Sequence, residues 1–162
     1  MALKRETTGR EAFQKLSALC ARSEHCQHEM LEKMRQWGVD ADEQAWVMQR
    51  LVEERYVDDE RYARAFVHDK MQYNQWGRWK IEQALWLKHI DEHTVRRVLD
   101  EIDDAEYAAI LKPMLKQKRR HTTAGSDYEL NMKLMKWAMG RGFTMDVIRQ
   151  CLDVSDEDEF LD

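Results

Sequence analysis

An all-α protein of three tandem three-helix repeats is what this sequence predicts, and three observations lead there. The composition is one that favours helices: Leu, Met, Ala, Glu, Lys, Arg and Gln dominate, with a single proline and six glycines in 162 residues. These side chains lose little rotamer freedom in a helix, and few residues interrupt one. No stretch alternates apolar and polar residues with turn signals on both sides, as a half-buried strand would. Finally, a pattern recurs. Trp37-Gly38-Val39, Lys88-His89-Ile90 and Arg141-Gly142-Phe143 lie 51 and then 53 residues apart. The flanking apolar positions agree in register: Met30 with Ile81 and Leu134, Met34 with Leu85 and Ala138, Val47 with Val98 and Cys151, Met48 with Leu99 and Leu152. Fixed-period self-similarity marks a repeat architecture, in which each short unit buries its apolar face partly against its neighbours. The expected array is elongated and open to curvature, with repeats over 9–55, 56–103 and 104–153 and an acidic tail over 154–162.

Residues 1 to about 8 are polar and expected to be loose. Phe13, Leu16 and Cys20 mark a first helix, which Ser23 stops and from which Ser23 could cap the second, carrying Met30, Leu31 and Met34. Gly38 suits a left-handed C-terminal cap. Asp40 to Glu43 reads as a capping box opening a third helix with Val47, Met48, Leu51 and Val52 inward. The central unit begins at Asp58, whose carboxylate can take free N–H groups of the first turn. Asp59 and Glu60 then sit where the helix dipole favours acids. Tyr62, Ala63, Phe66, Val67 and Met71 make one apolar stripe at helical spacing. Gly77 interrupts, Ile81, Ala84 and Leu85 start a second stripe, and Asp91 caps the next helix. In the third unit Pro113 implies either a helix beginning there or a kink, since an interior proline costs about 3 kcal/mol. His121 to Asp127 is a loop, with Ser126 or Asp127 as the next cap, and Thr144 caps the last helix.

Composition narrows the function classes. The chain is 35% charged yet 43% hydrophobic, with a mean hydropathy of -0.78, which suits small amphipathic helices with wet outer faces. A formal charge of -5 argues against a wholesale nucleic-acid coat, although a local basic face acts at short range. Three cysteines, Cys20, Cys26 and Cys151, are too few and scattered for a disulfide framework, so a reducing, cytoplasmic compartment is expected. No apolar run spans a bilayer and no leader is evident, so no membrane partner is expected.

The run Tyr56-Val57-Asp58-Asp59-Glu60-Arg61-Tyr62-Ala63, then Phe66-Val67, Gly77, Ile81 to Leu85 and Lys88-His89-Ile90, resembles the RecX family of RecA regulators. Arg141-Gly142-Phe143-Thr144, followed by Ile148 and Leu152, is similar to that family's last repeat. The resemblance covers about residues 10 to 152. It implies three tandem three-helix repeats, and a non-enzymatic protein that binds the RecA recombinase filament on single-stranded DNA, usually as an inhibitor, within recombination, repair and the SOS response. It also implies contact with DNA through the filament and no small-molecule substrate. Where many relatives carry a small basic turn, this chain has Asn74-Gln75-Trp76-Gly77-Arg78-Trp79.

Catalysis, cofactors and metals find little support among the residues. His25, Cys26 and His28 sit close in sequence, but zinc wants paired ligand spacings and no second pair follows. They read as helix-surface residues with Cys26 half-buried. Asp58, Asp59 and Glu60 lack a phosphate loop or a suitably placed His, and helix capping accounts for all three.

The partner-binding candidates are aromatic and basic. Trp79 and Trp86 are seven residues apart and point away from the Ile81–Leu85 stripe, with Gln83 between them. That face packs on a neighbouring repeat, or anchors a partner, or, with Arg78 and Lys80 beside it, stacks bases. Arg61, Arg64, Arg96 and Arg97 add positive charge to the middle unit. From Ala105 to Gln150 nine Lys or Arg stand against four Asp or Glu, densest at Lys116, Lys118, Arg119 and Arg120. A charge run is usually a solvated helix end, yet this one is the best candidate for contact with phosphate or with an acidic protein groove. The six acids from Asp153 onward read as a solubilising tail, or as a competitor with DNA for the basic run. Two other classes remain beside the filament regulator: an autonomous helical DNA-binding module, which would lose affinity steeply with salt, and a generic helical adaptor.

Overall fold

The computed structural model describes residues 6–160, the side chains of 153–160 excepted. The first five residues therefore lie outside the described residues, as do the side chains of the acidic tail expected over 154–162. Nine helices and no strand occur among the described residues. They are α1 (Gly9–Arg22), α2 (Gln27–Gln36), α3 (Ala41–Glu53), α4 (Asp59–Gln72), α5 (Arg78–Trp86), α6 (Glu92–Asp100), α7 (Asp104–Arg120), α8 (Asp127–Gly140) and α9 (Met145–Phe160).

The repeat register survives in three dimensions. Met30, Ile81 and Leu134 are each fully buried, as are Met34, Leu85 and Ala138. Val39, Ile90 and Phe143, which follow the turn, are buried as well. The turn itself is the same object three times: Gly38, His89 and Gly142 have φ of 70°, 55° and 94°. In the first and third units the next N–H reaches back five residues, Val39 to the Met34 carbonyl at 3.0 Å and Phe143 to the Ala138 carbonyl at 3.2 Å. This closes the helix with a left-handed cap. His89 takes that conformation without being glycine, which costs about 1–2 kcal/mol.

Five local expectations are corrected. Ser23 ends α1, its N–H donating to the Leu19 carbonyl, but does not start α2; Cys26 does. Its N–H donates to Glu29 Oε1 at 3.2 Å, and Cys26 is fully buried rather than half-buried. The capping box at Asp40 does not close, because Glu43 Oε2 accepts instead from the Gly9 N–H of α1 at 3.1 Å. Val52 lies outside the core, at 41% exposure. Finally, of the two readings of Pro113 the helix start is the one overturned: α7 begins at Asp104 and contains the proline. Burial of Tyr107, Leu111 and Leu115 on both sides of the proline contributes roughly 1.5–3 kcal/mol per side chain, more than the cost of about 3 kcal/mol for the proline.

The interior is divided in two. One cluster joins α4–α6 to α7–α9 through residues such as Met71, Leu85, Leu111 and Ile148, with Cys26 reaching into it from α2. A second, smaller one belongs to α1–α3, with Leu16, Met30, Leu51 and Val57 among its members.

The two joints between units differ accordingly. Between α1–α3 and α4–α6 the bonds are polar: Asp59 Oδ1 accepts from the Gln27 N–H at 2.9 Å and Arg61 Nε donates to Glu24 Oε1 at 2.8 Å. Lys88 Nζ lies 3.5 Å from Glu29 Oε2, and His28 stacks on His89 with centroids 4.2 Å apart. Between α4–α6 and α7–α9 two of the bonds run backbone to backbone. Gly77 N–H donates to the Arg141 carbonyl at 2.9 Å and Trp79 N–H to that of Gly142 at 3.0 Å. The first unit's turn receives a related bond from the chain's own start, Thr7 N–H to the Trp37 carbonyl at 3.1 Å.

Candidate partner-binding surface

The acidic triplet that opens α4 is divided among three tasks rather than one. Asp58 Oδ1 accepts from the Arg61 N–H at 3.0 Å and caps α4. Asp59 caps α2 in the neighbouring unit through its bond from Gln27. Its burial raises the carboxyl pKa, and the Gln27 N–H offsets part of that rise. Glu60 is an ion-pair acceptor for Arg97, at 2.8 Å, and lies 3.7 Å from Arg64.

This network occupies the middle unit's arginines. Arg64 grips Glu101 in bidentate fashion at 2.9 and 2.7 Å, and that hydrogen bonding holds the Glu101 carboxyl below its ordinary range. Arg96 pairs with Glu92 at 2.8 Å and Arg78 with Asp100 at 2.7 Å. Arg61 is tied to Glu24 and also donates to the carbonyls of Arg55 and Tyr56. All five cations are therefore balanced by neighbouring groups, and a phosphate would have to displace those bonds. Exposed pairs of this kind are weak, so displacement is feasible, but the arginines are not an unspent positive field.

The run at the end of α7 divides around the helix. Lys116 and Arg120 are exposed. Lys118 Nζ sits over the Trp137 ring at 5.5 Å. Arg119 donates to Asn131 Oδ1 at 3.1 Å across to α8.

One grouping was not anticipated from the sequence. Arg141 lies near Trp137, with Cζ 5.6 Å from the ring centroid, so Lys118 and Arg141 share one indole. With Gln75, Gln117 and His121 they line a cleft of about 310 Å³ where the α4–α5 turn meets the third unit. The Arg141 guanidinium is held there by the Asn74 carbonyl, at 2.7 Å from Nη2. Trp137 and Arg141 are four residues apart, the spacing of neighbours on a helix face. That signal was present, but Gln75 comes from a different unit and only folding supplies it.

The α5 tryptophans are not buried against the adjacent unit. Trp86 is 73% exposed and Trp79 56% exposed, which removes the purely internal packing reading. They line a cleft of about 250 Å³ together with Glu82, Gln83, Glu92 and Val95. On its other side Trp79 borders a second, apolar cleft with Met139, Phe143 and Met145. Lys80 turns away from both tryptophans and lies over Trp76, 4.7 Å from its centroid, on the same ring as Lys70 at 4.9 Å.

His25 contacts Ser23 and Glu29, and His28 contacts Glu32 and His89. Cys26 Sγ points to the Lys88 carbonyl at 4.0 Å. Burial pushes its thiol up to about 12, and it raises those of Cys20 and Cys151 too. Among the described residues no group of three or more His, Cys, Asp or Glu is placed to hold a metal ion, and no helix is long and apolar enough to cross a membrane.

Fold and surface together define a tandem array of three-helix units that presents an aromatic cleft on α5–α6 and a cationic cleft where the second and third units meet. The chain belongs to the RecX family: the second three-helix domain of RecX matches residues 58–99 and the third matches 105–152, together more than half of the chain. The regulatory protein RecX of Acinetobacter baylyi is 28% identical over 141 residues, covering 87% of this chain and 86% of the relative. That of Chlorobium phaeobacteroides is 26% identical over 152 residues, covering 91% and 95%. The crystal structure of RecX from Lactobacillus salivarius superposes with a TM-score of 0.85 over 91% of this chain and 96% of that one, at 17% identity. That likeness shows the shared fold.

Proposed function

We propose that this chain regulates the RecA recombinase by lying along the RecA filament on single-stranded DNA, and that it acts chiefly as an inhibitor in recombination, repair and the SOS response. Family membership supports a regulatory role. The observation that carries the filament reading is the exposure of Trp79 and Trp86 on α5, together with two cations, Lys118 and Arg141, that have no acidic partner among the described residues and line a cleft where the second and third units meet. Trp79 and Trp86 lie on one cleft, and Lys118 and Arg141 on another. A row of units can touch successive subunits of a polymer, and several weak contacts then add through effective concentration. The cationic cleft suits a phosphate or an acidic side chain. Partner contacts are assigned to Trp79, Trp86, Lys116, Lys118 and Arg120, with Arg141 added to the set.

Co-sedimentation with RecA assembled on single-stranded DNA tests the reading, with naked single-stranded DNA as the control. The chain is expected to pellet with the filament and to bind naked DNA poorly at physiological salt. Equal, steeply salt-dependent binding to both would make it an autonomous DNA-binding module. Binding to neither would make it an adaptor for another partner.

A further inference from the structure

The α5–α6 cleft has a chemistry of its own, unlike that of the cationic cleft. Its walls are two indoles, Trp79 and Trp86, and its charged rim is acidic, from Glu82 of α5 and Glu92 of α6. Indole faces carry negative charge density and attract cations held within about 6 Å of the ring. Glu92 accepts from Arg96 at 2.8 Å, whereas Glu82 has no ion-pair partner among the described residues. The two cations that would turn this face toward nucleic acid are engaged elsewhere: Arg78 on Asp100, at 2.7 Å, and Lys80 over Trp76.

We propose that this cleft receives a single arginine or lysine side chain from a partner protein, gripped between the tryptophans with its charge facing Glu82. This rests on the proposed function for the partner's identity and makes this face the protein-contacting one. Charge complementarity selects the occupant. A nucleotide stacked on Trp79 or Trp86 would bring its phosphate toward the Glu82 carboxylate, with no free cation beside it among the described residues to compensate. A guanidinium satisfies both features at once, since it stacks on aromatic faces and donates to a carboxylate in a fixed fork. The apolar cleft beyond Trp79, lined by Met139, Phe143 and Met145, would take a neighbouring apolar side chain of the same segment.

Two measurements on the full chain test this. In the first, the indole N–H resonances of the isotope-labelled protein are followed while the tripeptide Gly-Arg-Gly is added, with inorganic phosphate and a short thymidine oligonucleotide in parallel. Trp79 and Trp86, assigned by single replacement with Phe, are expected to shift with the arginine peptide, and Glu82→Gln to abolish the shift. A shift of these two indoles with the oligonucleotide and not the peptide overturns the proposal. The second measurement is co-sedimentation of Glu82→Lys and Glu82→Gln with the RecA filament, both checked for an unchanged thermal melt. Glu82→Lys is expected to weaken pelleting by about tenfold, because a like charge is placed against the incoming cation. If the parent chain pellets and Glu82→Lys pellets equally well, the cleft proposal fails while the filament reading stands. If the parent chain does not pellet, the filament reading fails and the peptide titration alone decides the cleft.

Discussion

Gly77 and Gly142 meet backbone to backbone at the joint between the second and third units. A Cβ on Gly77 would collide with the main chain of Gly142 and Phe143, and a Cβ on Gly142 with Lys80. The hydrogen bonds flanking this contact, from Gly77 to Arg141 and from Trp79 to Gly142, need that approach. The joint also forms one wall of the cationic cleft, so the glycines position the site.

The four informative glycines should therefore give three different answers to alanine. Gly77→Ala and Gly142→Ala should each cost roughly 2–4 kcal/mol, because rigid backbone must shift. Gly38→Ala should cost only about 1–2 kcal/mol, the penalty of its positive φ, since nothing closer than Glu6 at 3.5 Å opposes the new methyl. Gly140→Ala, in helix α8 with open space around it, should stabilise by about 0.5–1 kcal/mol. Urea unfolding of the four variants checks the order.

Tyr107 is buried to 1% exposure and its hydroxyl has no hydrogen-bond partner among the described residues. Leaving such a group unsatisfied costs about 1–3 kcal/mol. Tyr107→Phe should therefore be neutral or stabilising, by up to about 1 kcal/mol once packing changes are included. A loss of stability above that size would show that the hydroxyl has a partner in solution.

Burial sets the order of cysteine reactivity, since the thiolate is the nucleophile. At pH 8 Cys20, partly exposed, should react with iodoacetamide well before Cys26 and Cys151, which are buried; mass spectrometry of the digested protein reads this directly. The same shift fixes a pH dependence. Cys26 titrates at about 12 in the folded chain against 9.0 for an ordinary thiol. Between those values the unfolded chain has released the proton that the folded chain still holds, so stability falls as pH rises through that window. Cys26→Ala should show a shallower alkaline decline, whatever its stability at pH 7.

The two clusters of the interior predict separable stability. The first unit is joined to the rest by exposed or half-exposed ion pairs and the Cys26 thiol, whereas the second and third share one apolar cluster. Amides of α2 and α3 should exchange through local opening at lower urea than those of α4 and α7. Raising salt should widen the gap by screening the Arg61–Glu24 and Lys88–Glu29 pairs. Simultaneous loss of protection throughout the chain would refute this.

Removing cations from the end of α7 should separate binding from folding. Lys116→Ala, Lys118→Ala and Arg120→Ala together should weaken filament binding at moderate salt and flatten its salt dependence. Stability read from the melting curve should stay within about 1 kcal/mol of the parent, since Lys116 and Arg120 are surface sites. Lys118 loses only its contact with Trp137, worth about 0.5–1 kcal/mol. Arg119 is left in place because it bonds to Asn131.

Periodicity alone carried the helices, the turns and the inward-facing positions, because those depend on interactions among residues a few places apart. Met30, Ile81 and Leu134 align from spacing alone, and Gly38 reads as a left-handed cap, but that His89 takes the same conformation without being glycine came only from the structure. Charge was less legible. Arg64 and Glu101 are 37 residues apart, and nothing local indicates that they neutralise each other, so arginines that look available are spent. The exposure of Trp79 and Trp86 could not be settled either, since their helix face is defined by its own sequence but its neighbour is not.

What the sequence determined by itself is the repeated three-helix unit, through apolar spacing and caps that act within single helices. Tertiary structure alone decided how the units meet: a polar joint with its own small core on one side, a glycine-to-glycine contact on the other. It also decided which cations and aromatics remain open. Those outcomes rest on groups distant along the chain arriving within a few ångströms of each other, and short-range order carries no record of that.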